Sequence, residues 1–201
     1  MRDICINMVF EDVLSGAVLT RLLSTSRQRY TVGFRYNTRG SGSIKQKINS
    51  FNHAAKGMSY LILTDLDRSE CPPVLVEQWL TGPKHPNLLF RVAVREVEAW
   101  LLGCRESFAT FLGVPPSRIP DDVERIPNPK EFVVNLARRS SKRNIRVDLA
   151  PEPDSTAKVG PDYTGRLVYF VEEIWEPAVA KESSPSLRKA IEALEVFEPT
   201  L

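Results

Sequence analysis

Asp65 and Asp67 stand one residue apart just after Y-L-I-L-T at 60–64, the clearest apolar run of the chain. In an extended segment, carboxylates at i and i+2 project to the same side, so both can reach one ion. Acids crowded together raise one another's pKa until a cation neutralises them. Hard oxygen donors with retained water suit Mg²⁺ or Mn²⁺. An ion so held can orient water and offset charge on a phosphoryl group. D-x-D alone serves a solvated turn equally well. It gains weight from Glu11, which follows I-C-I-N-M-V-F at 4–10, and from Glu96 and Glu98, which follow L-L-F-R-V-A-V at 88–94. On a helix, Glu96 and Glu98 lie about 200° apart, so one of them faces such a site; in extended backbone both can.

Basic residues supply the complementary chemistry. R-G-S-G-S-I-K at 39–45 precedes a helical pattern, where glycines and a helix N-terminus welcome an anion. Lys45 and Lys47 are its candidate phosphate contacts. The P-loop spacing is absent, so ATP is not expected there. Between 125 and 146 there are seven Lys or Arg against one acid. Arg138, Arg139, Lys142, Arg143 and Arg146 could neutralise nucleic-acid phosphates, although no aromatic interleaves to stack on bases. Lys158, in a Gly- and Pro-punctuated loop, could stabilise charge at a phosphoryl centre. His53 and His85 flank no nucleophile motif, which disfavours a histidine triad.

The elements that must position these residues follow from periodicity. Strands are expected at 4–10, 30–36, 60–64 and 88–94, and helices at 12–23, 44–55, from 72 to 80 and 96–102. The order β-α-β-α-β-α-β-α implies an α/β fold, a mostly parallel four-stranded Rossmann-like sheet with helices on both faces. In such sheets functional residues gather at the carboxyl ends of strands. Glu11, Asp65, Asp67 and Glu96/Glu98 all fall there. After about residue 103 the pattern changes to a proline-rich stretch. A helix is expected at 129–138, then the basic run, then two closing helices at 167–175 and 186–194. The expected division is a core over 1–105 and a mainly helical C-terminal extension over 106–201, packed on it. The three cysteines lack C-x-x-C spacing, which argues against a zinc or disulfide framework and for a reduced, cytoplasmic setting. No apolar run approaches a membrane span.

F-E-D-V-L-S at 10–15, G-S-G-S-I-K at 40–45, L-T-D-L-D at 63–67, R-E-V-E-A-W-L-L at 95–102 and A-K-V-G-P-D-Y at 157–163 resemble a family of small bacterial topoisomerase–primase (Toprim)-like proteins. That likeness covers nearly the whole chain, and the broader Toprim likeness about residues 1–105. It implies Mg²⁺ or Mn²⁺ held by Asp65 and Asp67, with Glu11 as general acid/base or ligand. Likeness to overcoming-lysogenization-defect nucleases adds Glu96 as ligand or Glu98 in the catalytic set, and Lys158 as the catalytic lysine. The chain lacks a strand-passing tyrosine domain and a primase zinc module, so the implied chemistry is phosphodiester hydrolysis of DNA or RNA. Proteins of this kind also look like partners of ABC- or SMC-type ATPases in phage defence. The alternative is therefore a catalytically silent Toprim-fold subunit, whose acid-rich 167–201 segment (seven acids, three bases) meets a basic partner. A flavodoxin-like small-molecule binder is a third, weaker reading.

Overall fold

The computed structural model describes residues 3–200. β1 (Ile4–Phe10), α1 (Val13–Thr25), β2 (Tyr30–Asn37), α2 (Ser41–Ala54), β3 (Ser59–Asp65), α3 (Pro72–Trp79), β4 (Leu88–Ala93) and α4 (Val97–Leu102) alternate along the first half. The four strands pair in parallel in the order β2-β1-β3-β4. The fold is α/β, as the alternating pattern implied.

Strand pleating sorts the side chains into two cores. Ile6, Met8, Phe10, Leu61, Leu63 and Leu89 face α1. Val9, Tyr60, Ile62, Leu88, Phe90 and Val92 face α2 and α3, against Ile44, Ile48 and Leu75. The central strands β1 and β3 are thus covered on both faces, which explains their near-continuous apolar runs. α1 and α2 lie on opposite faces, the arrangement that right-handed crossovers give when the chain turns first one way and then the other from β1. The strand order therefore reverses between β1 and β3. At that point the carboxyl ends splay apart and leave a crevice.

Beyond α4 come α5 (Arg105–Leu112), α6 (Pro129–Arg138), α7 (Arg143–Leu149), α8 (Tyr163–Glu173), α9 (Pro177–Ala180) and α10 (Pro185–Glu195). These helices share one apolar cluster with the α1 face of the sheet. Phe108 and Phe170 meet edge to face at 4.9 Å. Trp100 and Trp175 are fully buried. Their indole N–H groups find Ser186 Oγ at 2.7 Å and the Trp100 carbonyl at 3.2 Å, as buried indoles require.

Three helices were not expected from periodicity: α5, α7 and the four-residue α9. α5 is ended by Gly113 in the left-handed region (φ 71°), a conformation in which glycine meets no Cβ penalty. α7 grows out of the basic run, because Ile145 and Leu149 are buried on one side and that short apolar stripe is masked in sequence by the surrounding charges. No helix among the described residues is long and apolar enough to cross a membrane.

Candidate functional site

Each sequence-selected acid stands where a parallel strand ends, and each is fastened differently. Glu11 follows β1. Its Oε1 accepts hydrogen bonds from the Thr64 hydroxyl and from the Asp65 N–H at 2.9 Å. The carboxylate therefore ties β1 to β3 across the reversal point. Burial pushes its pKa up, as do Asp67 and Asp12, against the pull of the two hydrogen bonds.

Asp65 closes β3. Its Oδ1 accepts from the Val97 N–H at 2.9 Å, so the same side chain satisfies an otherwise unpaired amide in the first turn of α4. Burial, and then the charges of Glu98, Glu11 and Asp67, hold its carboxyl well above the usual range.

The extended backbone expected through 65–67 does not reach Asp67. Leu66 is drawn into the α2/α3 core at 2% exposure. Asp67 then takes a left-handed conformation, φ 48°, which a short polar side chain tolerates. Its N–H donates to the Arg95 carbonyl at 2.9 Å. The Arg95 guanidinium donates back to the carbonyls of Asp67 and Ser69 at 3.1 and 2.9 Å. The turn is thereby pinned to the loop after β4.

Glu96 and Glu98 part company. Glu96 precedes α4 in extended backbone (φ −136°, ψ 157°), and its Oε2 accepts the Lys130 N–H at 2.7 Å. It thus caps the start of α6, where the helix dipole favours negative charge. Glu98 lies inside the first turn of α4 at 1% exposure. Its Oε1 accepts from the Tyr163 hydroxyl at 3.0 Å and sits 3.6 Å from Lys130 Nζ. Its Oε2 is buried without a hydrogen-bond partner. Burial raises the Glu98 pKa, while Lys130 and Tyr163 hold it down.

Asp65, Asp67 and Glu96 line one cleft of about 770 Å³ at the strand ends. Lys45, Arg95 and Lys158 line it as well, together with Ser41 and Gly42 from the first turn of α2. Neither Glu11 nor Glu98 is on this wall. Glu11 bridges the strands beside the cleft, and Glu98 is buried in α4. A second cleft, about 590 Å³, shares Glu96, Asn128 and Lys158 with the first and continues to Lys130 and Arg138. A third, about 520 Å³, shares Arg138 and reaches Arg146.

The other sequence-selected cations are dispersed. Lys47 is exposed on α2 outside these clefts. Arg139 and Arg143 are exposed and line none of the three. Lys142 turns away, donating to the carbonyls of Thr110 and Phe111 at 2.7 and 3.2 Å, which places its charge at the C-terminal end of α5 where a cation is favoured. Thr64, Lys130 and Tyr163 were not singled out from sequence. Thr64 and Tyr163 lie inside motifs that drew attention for their neighbours, and Lys130 lies inside the basic segment, but nothing local marks what each would touch.

Compared with known proteins, the chain matches no family model, no curated protein and no solved structure.

Among the described residues, no three His, Cys, Asp or Glu side chains converge closely enough to hold a metal ion by themselves. The donors present therefore do not form a closed protein cage. Asp65, Asp67 and Glu96 on the cleft wall are the carboxylates that could contact a hydrated divalent ion, which keeps several waters and takes one or two carboxylates.

Proposed function

We propose that this chain is a Mg²⁺- or Mn²⁺-dependent nuclease of the Toprim type, hydrolysing phosphodiesters of DNA or RNA. The observation that carries the reading is the sharing of one strand-end cleft by Asp65, Asp67 and Glu96 with Lys45 and Lys158. Acids alone would repel a phosphate, and bases alone would bind it without chemistry. The mixture suits a polyanion that arrives with a divalent cation.

When bound, the ion supplies orientation of a water and neutralisation of phosphoryl charge. Asp65 and Asp67 would hold it, with Glu11 beside them. Burial raises the proton affinity of Glu11 next to the cleft, which suits a carboxyl that accepts and returns a proton. The α2 N-terminus and Lys45 receive phosphate on one wall. Lys158 approaches from the opposite extension and can offset charge on the leaving oxygen. Arg138 and Arg146, along the adjoining clefts, extend the contact to further phosphates.

The deciding experiment is cleavage of single- and double-stranded DNA and RNA with Mn²⁺ or Mg²⁺, against EDTA. Wild type is expected to cut only with metal, and Asp65→Asn with Asp67→Asn to lose the activity while remaining folded. Undiminished cutting by that folded double variant sinks the reading.

A second reading, a catalytically silent subunit of an ABC- or SMC-type ATPase, draws support from β2. This edge strand leaves Phe34 67% and Tyr36 38% exposed, an open margin of the kind partners cover. Metal-dependent cleavage by the isolated chain would count against it.

A further inference from the structure

We propose that β2 and α2 together form a platform for single-stranded nucleic acid. Bases stack on Phe34 and Tyr36, and the phosphates between them meet cations of α2. The inference rests on the nucleic-acid side of the reading above and names the form of polymer that approaches the cleft.

A bulge in β2 makes the platform. Tyr30 and Val32 pack toward the α1 core, so strict alternation would send Phe34 and Tyr36 the same way. The pairing of β1 with β2 slips between Ile6 and Met8. At that point Asn7, itself 5% exposed, accepts the Phe34 N–H at 2.8 Å with its Oδ1. Gly33 leaves room for this oxygen, since a Cβ there would lie 2.5 Å from it. The extra residue exchanges the two faces. Arg35 reaches Thr20 on α1, whereas Tyr36 meets Phe51 of α2 with ring centroids 5.8 Å apart. Phe34 lies 6.1 Å from Tyr36. A bulge gives up ladder pairing and re-aims side chains. This one takes two aromatics away from the α1 core and leaves them 67% and 38% exposed.

Charge decides what covers them. Between 13 and 64 there are eight Lys or Arg and no Asp or Glu. Lys47 and Phe51 are four residues apart on α2 and share a face, which puts an exposed lysine one turn from the ring that Tyr36 touches. Arg39, Lys45 and Lys47 form no ion pair among the described residues. Lys45 also lines the strand-end cleft, so one helix serves both places. Rings set among uncompensated cations match a single strand, in which every base offers a π-face and every linkage a negative charge. A duplex keeps its bases stacked on one another and leaves the rings unused. The basic run at 138–146 has the charge without any aromatic, so it serves phosphates alone.

The test is fluorescence anisotropy of labelled oligo-dT of about 12 nucleotides, the span of a stacking site, with EDTA present. An abasic phosphodiester chain and a duplex of the same length are the comparisons. Wild type is expected to bind oligo-dT at least about tenfold tighter than either. Phe34→Ala and Tyr36→Ala each weaken oligo-dT binding by about fivefold or more and leave the abasic chain unaffected. Tyr36→Phe keeps the ring and binds as wild type does. Equal binding of oligo-dT and the abasic chain overturns the proposal, as does no binding of oligo-dT at all. Phe34 is exposed enough for Phe34→Ala to keep the fold, and wild-type affinity in that variant also overturns it. So does a dimer in light scattering that Phe34→Ala converts to monomer, since a second copy then covers the strand. The metal-dependent reading fails separately: base-dependent binding in EDTA with no cleavage on adding Mn²⁺ sinks the nuclease and leaves the platform standing.

Discussion

Replacing Lys130 by Met keeps the aliphatic stem and deletes the charge, leaving Glu98 at 1% exposure facing Tyr163 alone. Breaking a buried ion pair from one side destabilises by about 3–5 kcal/mol, because the surviving charge is uncompensated. The Lys130 side chain is 41% exposed, so water already screens part of its interaction. That places the expected loss near the lower end, about 3 kcal/mol. For a domain of this size, each kcal/mol moves Tm by about 2–4 °C, so the drop is about 6–12 °C. Glu98→Gln removes the charge that needs compensating and leaves a lysine that water can reach. Its loss is expected below about 2 kcal/mol, and adding Lys130→Met to it is expected to change little. Urea denaturation of the four proteins gives the coupling directly. The pH dependence adds a second check. The folded Glu98 pKa is already raised by burial, and removing Lys130 raises it further. The Lys130→Met deficit is therefore present where the folded carboxyl is charged and shrinks as the pH falls through its raised folded values, below which it is neutral in the folded protein with or without Lys130. Additive losses in the double variant, or a deficit that does not shrink on acidification, would refute this electrostatic account.

Three further outcomes are expected. Burial and neighbouring acids raise the folded pKa of Asp65, Glu98 and Glu11. The folded chain thus binds more protons than the unfolded one above pH about 4, and these groups withdraw stability as pH rises through their raised values. Scanning calorimetry of the metal-free protein should show Asp65→Asn flattening that decline, with Mg²⁺ raising Tm more at pH 8 than at pH 5; an unchanged slope in Asp65→Asn contradicts the assignment. Gly160→Ala should destabilise by about 1–3 kcal/mol, since a Cβ there lies 2.4 Å from the Asp148 carbonyl oxygen and 2.6 Å from the Leu149 carbonyl carbon. It should also weaken substrate binding by displacing Lys158 two residues away, and wild-type stability by urea melt would count against it. In nucleic-acid binding titrations, Lys45→Ala and Lys158→Ala should each lower the salt slope by about 1. Lys142→Ala should leave the slope unchanged and lose about 0.3–1 kcal/mol of stability through the α5 terminus; equal effects of all three would show the clefts are not the path.

Local sequence settled the strands, the alternation with helices and the acids at the strand ends. Those depend on period-two and period-3.6 burial, which a single segment displays in its own residue order. It also marked Glu11, Asp65 and Asp67 as belonging near one another, because parallel strands end on one side of a sheet. Local sequence could not decide between Glu96 and Glu98. The answer depends on where α4 begins, and that start is fixed by Asp65 from β3 accepting the Val97 N–H. Nor could it show that the basic run divides, with Arg138 and Arg146 along clefts and Lys142 spent on the end of α5. Which way a surface cation points is set by carbonyls 30 or so residues away, not by its neighbours in the chain. The opening pair Asp65 and Asp67 shows both sides. Their spacing put two carboxylates at one strand end, but burial of Leu66 and the turn pinned by Arg95 decided that both line the cleft while Asp65 alone also fastens a helix.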